Sequence, residues 1–205
     1  MSTALAALTG LLPGRDFDAL VIGGSAGAFT ALRVILPALA CPQLVAVVVL
    51  HQSPQGNDLG EIFAGVSALP CVTVEDKLPA RPGAIYFAPA GYHLLLEREG
   101  HFALSVDAPV NFSRPSIDVT LETAAQVHGP RLVALILTGA SDDGARGLQA
   151  VDRMGGIALV QEPTDAEVPL MPTAAARLTP PRAALRLTQL VELFTAWSRV
   201  SEQRT

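Results

Sequence analysis

The run Ala19-Leu20-Val21-Ile22 passes without a polar residue into Gly23-Gly24-Ser25-Ala26-Gly27. This is the G-x-S-x-G form, in which a serine rides a tight turn between a buried strand and a helix. Glycines on both sides supply the backbone freedom that such a turn needs and leave room for a substrate. Beyond the turn, Phe29, Leu32, Ile35 or Leu36, and Leu39 recur at helical spacing, so a helix follows. A dinucleotide loop would instead read G-x-G-x-x-G, and Ser25 stands where its second glycine belongs. The next apolar strand ends in Leu50-His51, with no acidic residue to hold a ribose. Nucleotide binding is disfavoured on both counts.

The rest of the chain suits the same layered design. Half of the residues are hydrophobic and only 16% are charged, a balance typical of a parallel sheet buried under helices on both faces. Continuous apolar runs at 45–50, 85–88, 132–137 and 157–160 are candidate central strands. Helical patterns fall at 59–66, 116–127 and 145–154, the last stopped by Gly155-Gly156, and a closing helix is expected over 190–200. One region breaks the alternation: segments 94–97 and 101–106 flank Arg98-Glu99-Gly100 and read as an appended antiparallel hairpin. The expectation is one doubly wound α/β domain over 18–200 with a single, mostly parallel sheet, preceded by a leader or linker at 1–17.

Composition also excludes partners. A net charge of -5 and the lack of any basic run argue against nucleic acid. The first basic residue is Arg15, too late for a secretory leader, and the apolar stretch 34–50 is broken by Pro37, Pro42 and Gln43. A soluble cytoplasmic protein without membrane insertion is expected. Cys41 and Cys71 form no metal or redox motif and read as buried free thiols, so neither metal nor cofactor is expected.

A serine nucleophile needs a base and usually a carboxylate that orients it. In open α/β sheets these gather at the carboxyl ends of the strands. Of the four histidines only His51 directly follows a parallel-strand candidate; His93 and His101 belong to the hairpin, and His128 ends a helix. The strand at 132–137 runs into Thr138-Gly139-Ala140-Ser141-Asp142-Asp143-Gly144, which offers Asp142 or Asp143. Either could equally be a plain helix cap. The chain order Ser, His, Asp differs from the Ser, Asp, His of ordinary α/β-hydrolases.

Taken together, these segments resemble the catalytic domain of the chemotaxis receptor protein-glutamate methylesterases, the CheB type. The resemblance runs through residues 21–27, His51, 82–94, Arg114-Pro115-Ser116-Ile117-Asp118, 137–145, Gln161-Glu162 and 171–175. It implies Ser25 as nucleophile, His51 as base and Asp143 as orienting acid, the glycine after Asp143 favouring it over Asp142. It also implies oxyanion or substrate contacts at Ala26, Ala140, Arg114 and Met171. The implied reaction is hydrolysis of glutamate γ-methyl esters on the cytoplasmic helical region of chemoreceptors, with glutamine deamidation open to the same site. Ala26 and Gly139-Ala140-Ser141 depart from the family's usual residues, which keeps a catalytically degenerate, receptor-binding relative as the alternative. Seventeen residues before Asp18 leave no room for the family's receiver domain, so inhibition in cis by such a domain is not expected.

Overall fold

The computed structural model describes residues 17–53 and 55–202. The expected leader therefore lies outside the described residues, apart from Phe17. Seven strands form one sheet: β1 (Ala19–Gly24), β2 (Val45–Leu50), β3 (Cys71–Thr73), β4 (Ala84–Phe87), β7 (Leu132–Ile136), β8 (Ile157–Gln161) and β9 (Ala183–Leu185). Their order is β3-β4-β2-β1-β7-β8-β9, and every pairing is parallel. The chain builds one side from β2 and the other from β7, so β1 lies at the point where strand order reverses.

Register fixes what meets at that point. Gly24 pairs with Leu50 and Gly23 with Ile136, so β1, β2 and β7 end at one level. The residues that follow them, Ser25, His51 and the turn from Leu137 onward, therefore leave the sheet at the same edge.

Alternation along β1 divides the core. Leu20 and Ile22 face a cluster completed by α1 (Ala28–Ile35) and α6 (Leu187–Glu202); Ala19 and Val21 face the one that holds α3 (Ile117–His128) and α4 (Ala145–Arg153). The short α2 (Leu59–Phe63) contributes Phe63, stacked on Phe87 at 5.3 Å, and α5 (Leu170–Leu178) packs beside α4.

Strands β5 (His93–Leu96) and β6 (Phe102–Ser105) form the expected hairpin, which is a separate two-stranded sheet. It packs on α3, where Thr120 Oγ1 donates to Leu94 O (2.8 Å) and Leu96 N–H donates to Thr123 Oγ1 (3.2 Å). The structure differs from the sequence reading in three places. Edge strands β3 and β9 carry no signal of their own, since three-residue segments rely on β4 and β8 for pairing. Phe29, one of the helically spaced apolar residues, is 39% exposed, because α1 turns Ala28, Leu32 and Ile35 inward; its ring rests on Phe63 at 4.9 Å. Cys71 is only half-buried, being on an edge strand, although burial still raises its thiol pKa.

Ile22→Ala should lower unfolding free energy by about 2–5 kcal/mol, the range for truncating a fully buried aliphatic side chain. Val106→Ser, at a position 69% exposed just after β6, should stay within about 0.5 kcal/mol. Urea unfolding of the two variants checks the contrast.

Candidate active site

The turn after β1 is held from below. Ser25 N–H donates to Thr138 O (3.0 Å), and Ala28 N–H donates to Ser25 O (3.0 Å) as α1 begins. Gly27 adopts φ 81°, a left-handed conformation that makes glycine the fitting residue at the helix cap. Thr138 ties three segments together. Its hydroxyl donates to Ala26 O (2.9 Å) and accepts from Val168 N–H (2.8 Å), and its own N–H donates to the buried Gln161 Oε1 (2.9 Å). A Cβ on Gly139 would lie 2.7 Å from Met171 Sδ and 3.0 Å from Ser25 Cβ, so this turn approaches the serine closely only as glycine.

His51 follows β2, and its N–H donates to Gly24 O (3.1 Å), which seats it beside Ser25. Its Nε2 donates to Asp143 Oδ2 at 2.7 Å. The other ring nitrogen, Nδ1, accepts from Ser113 Oγ at 3.2 Å. Ser25 Oγ forms no hydrogen bond with His51 or with any other described residue. The structure thus brings His51 and Asp143 into contact and leaves Ser25 adjacent but unengaged, with Ser113 on the nitrogen that remains. The His51 side chain is 13% exposed, open to an incoming group, whereas Asp143 is fully buried.

Asp143 sits at the N-terminus of α3. Its carboxylate accepts from Ile117 N–H (2.6 Å), Asp118 N–H (3.2 Å), Ser116 Oγ (2.8 Å) and Asn111 Nδ2 (3.1 Å) as well as from His51. Burial opposes its ionisation, but the bonds from His51, Ile117 and Ser116 prevail and hold the carboxyl below the usual carboxylate range. Asp142, the other acidic choice, is exposed. Asp143 is also no ordinary cap of its own helix, because its side chain reaches α3 and not α4.

The second buried carboxyl, Asp118, meets the opposite fate. Asn111 Nδ2 also donates to its Oδ2 (2.9 Å), and Gly147 N–H donates to its Oδ1 (2.7 Å). Burial, then the nearby Asp143 charge, raise its pKa to about 6.

The remaining expected contacts divide. The N–H groups of Ala26 and Ala140, beside Ser25 and Gly139, donate to no described residue, and both residues are exposed. Met171 is fully buried, and its N–H already donates to Gly139 O (3.0 Å). It braces the turn from beneath Gly139. Arg114 directs its Nη1 to the carbonyls of Val106 (2.6 Å) and Asp107 (2.9 Å), a clasp on the loop after β6. His93 is buried in the same support; its Nδ1 accepts from Ser116 N–H (3.2 Å) and its Nε2 donates to Ala108 O (3.1 Å). Sequence reading missed Asn111, Ser113, Ser116, Asp118 and Thr138 as parts of the site. Their types are ordinary for a loop or a helix start, and only their hydrogen bonds to distant segments distinguish them, with burial added for Ser116, Asp118 and Thr138. No group of three or more metal-ligating side chains occurs among the described residues.

A carboxylate that orients a histidine beside a strand-end serine is what acyl transfer through a serine requires. The comparisons narrow that class. The sequence profile of the CheB methylesterase family matches residues 20–194. A putative protein-glutamate methylesterase/protein-glutamine glutaminase of Leptospira interrogans is 41% identical over 87% of this chain and 94% of its own length. A protein-glutamate methylesterase/protein-glutamine glutaminase of Symbiobacterium thermophilum is 33% identical over 86% of this chain, which spans 49% of that longer protein. The crystal structure of the Thermotoga maritima CheB methylesterase catalytic domain superposes with a TM-score of 0.83 at 29% identity, covering 89% of this chain and all of that one. The chain belongs to the CheB methylesterase family. It is a hydrolase, and no helix among the described residues is long and apolar enough to cross a membrane.

The sign of the Asp118 effect is testable. A carboxyl raised from about 3.9 to about 6 keeps its proton in the fold where the unfolded chain has lost it. Its contribution is complete below about pH 4 and is lost as pH rises toward 6. The Tm difference between wild type and Asp118→Asn should therefore shift against wild type between pH 4 and 7. A pH-independent difference would show that the Asp118 carboxyl is not raised.

Proposed function

We propose that the protein hydrolyses glutamate γ-methyl esters on the cytoplasmic helical region of chemoreceptors or related signalling receptors, releasing methanol, from a cytoplasmic location. The single observation that carries this reading is the 2.7 Å bond from His51 Nε2 to the buried Asp143, formed beside Ser25. Because Asp143 occupies Nε2, Nδ1 is the nitrogen left to act as base.

Ser25 displaces Ser113 from Nδ1 and passes its proton there as Oγ attacks the ester carbonyl. Asp143 holds the ring in the tautomer with Nδ1 unprotonated and stabilises the imidazolium that forms. The N–H groups of Ala26 and Ala140 receive the developing oxyanion. Collapse breaks the bond to the methoxy oxygen, which takes the Nδ1 proton and leaves as methanol. Water, deprotonated by Nδ1, then attacks the acyl-serine; the product is a glutamate carboxylate, and Ser25 recovers its proton. Deamidation of a glutamine follows the same steps, with ammonia in place of methanol. Both activities appear in the names of the Leptospira and Symbiobacterium relatives.

The alternative, a receptor-binding relative without turnover, draws on the missing Ser25–His51 bond. Methanol release from a methylated receptor cytoplasmic fragment decides between them. Ser25→Ala and His51→Ala should each reduce turnover on the order of a millionfold. Asp143→Asn should cost roughly ten-thousandfold, since it releases His51 into the wrong tautomer. Ser113→Ala, which clears Nδ1, should leave methanol release at or above the wild-type rate. Equal turnover in Ser25→Ala and wild type would remove this site from the reaction.

A further inference from the structure

The loop that supplies Asn111 and Ser113 to the site carries one residue that the chemistry does not use. Val110 and Ser113 close a two-residue turn, with Val110 N–H donating to Ser113 O (3.1 Å) and Ser113 N–H donating to Val110 O (2.9 Å). Both central residues have positive φ, 49° at Asn111 and 62° at Phe112. Turns of this form favour Asn followed by Gly, because the second position suits a residue without Cβ. Here that position holds a phenylalanine, an outlier for so bulky a side chain. The ring is also fully exposed, at 104% of its reference area. Strain and an unburied aromatic ring both work against the isolated protein, and Phe112 makes no packing contact that offsets either.

The turn is nevertheless fixed at both shoulders. Asn111 is tied to Asp143 and Asp118, and Ser113 to His51 Nδ1. Whatever binds the Phe112 ring is therefore held in a set relation to the base. The neighbouring surface is partly apolar too: Val106 is 69% exposed beside the Arg114 clasp, and Tyr92 is 41% exposed next to Gly91, whose N–H donates to Arg114 O (3.3 Å). Exposed aromatic rings of this kind act as anchors in protein interfaces.

We propose that Phe112 is the docking anchor for the polypeptide that carries the scissile glutamyl group, packing on an apolar side chain of the same substrate helix and so determining specificity for a protein over a small ester. This rests on the methylesterase reading above. Two measurements separate the two ideas. In the Ser25→Ala background, Phe112→Gly should weaken binding of a methylated receptor cytoplasmic fragment about tenfold or more. With Ser25 intact, Phe112→Gly should lose kcat/KM on that fragment, mainly through KM, at least tenfold more than on a small chromogenic ester. Phe112→Trp should restore most of it. Glycine suits the turn, so Phe112→Gly should also raise or preserve Tm, a sign opposite to that expected of a merely structural residue. Unchanged affinity, or equal losses on the two substrates, would overturn the docking role. Weakened binding together with no methanol release by wild type would sustain it and overturn the catalytic reading alone.

Discussion

The buried carboxylate of Asp143 is the point on which the site's geometry depends. An ion in the interior survives only where enough donors replace its lost water. Here the start of α3 provides two backbone N–H groups and the Ser116 hydroxyl, and Asn111 from the preceding loop and His51 from the end of β2 add two more donors to the same group. The positive end of the α3 dipole acts in the same sense. The carboxylate in turn ties together α3, the loop before it and the imidazole, so the segments that follow β2 and β7 are joined through one anion.

Two aspartates share this small volume, and their surroundings drive them apart. Asp143 gathers donors and stays ionised; Asp118, short of donors and beside that charge, is pushed up to about 6. The Asn111 amide bridges them, donating a hydrogen bond to each carboxyl group. That bridge also sets the root of the 110–113 turn. The hydrogen bonds of Asn111 to the buried pair and of Ser113 to Nδ1 therefore hold the turn, and with it Phe112, beside His51.

Sheet register does the rest. Because β1, β2 and β7 end at one level, Ser25, His51 and the turn bearing Asp143 meet without long connections, at the reversal of strand order where open α/β sheets place their sites. The support beneath Ser25 is equally local to this edge: Thr138, Gln161 and the buried Met171 hold the turn from the β7 and β8 side.

The sequence by itself determined the layers and the strand-end residues. Apolar runs too continuous for a half-exposed sheet marked β1, β2, β4, β7 and β8, and glycine turns marked where Ser25 and Asp143 leave them. These signals are local, written in consecutive residues, and so legible without a fold. Tertiary structure alone decided what surrounds them. Edge strands β3 and β9 exist because a neighbour offers a ladder, and Phe29 is exposed because α1 rotates it outward. Ser113 reaches Nδ1, Arg114 clasps carbonyls and Met171 is sealed under Gly139 through contacts between segments that are distant in sequence. Hydrogen bonds and burial across such separations leave no periodic trace in the chain, so their partners emerge only once the sheet has brought them together.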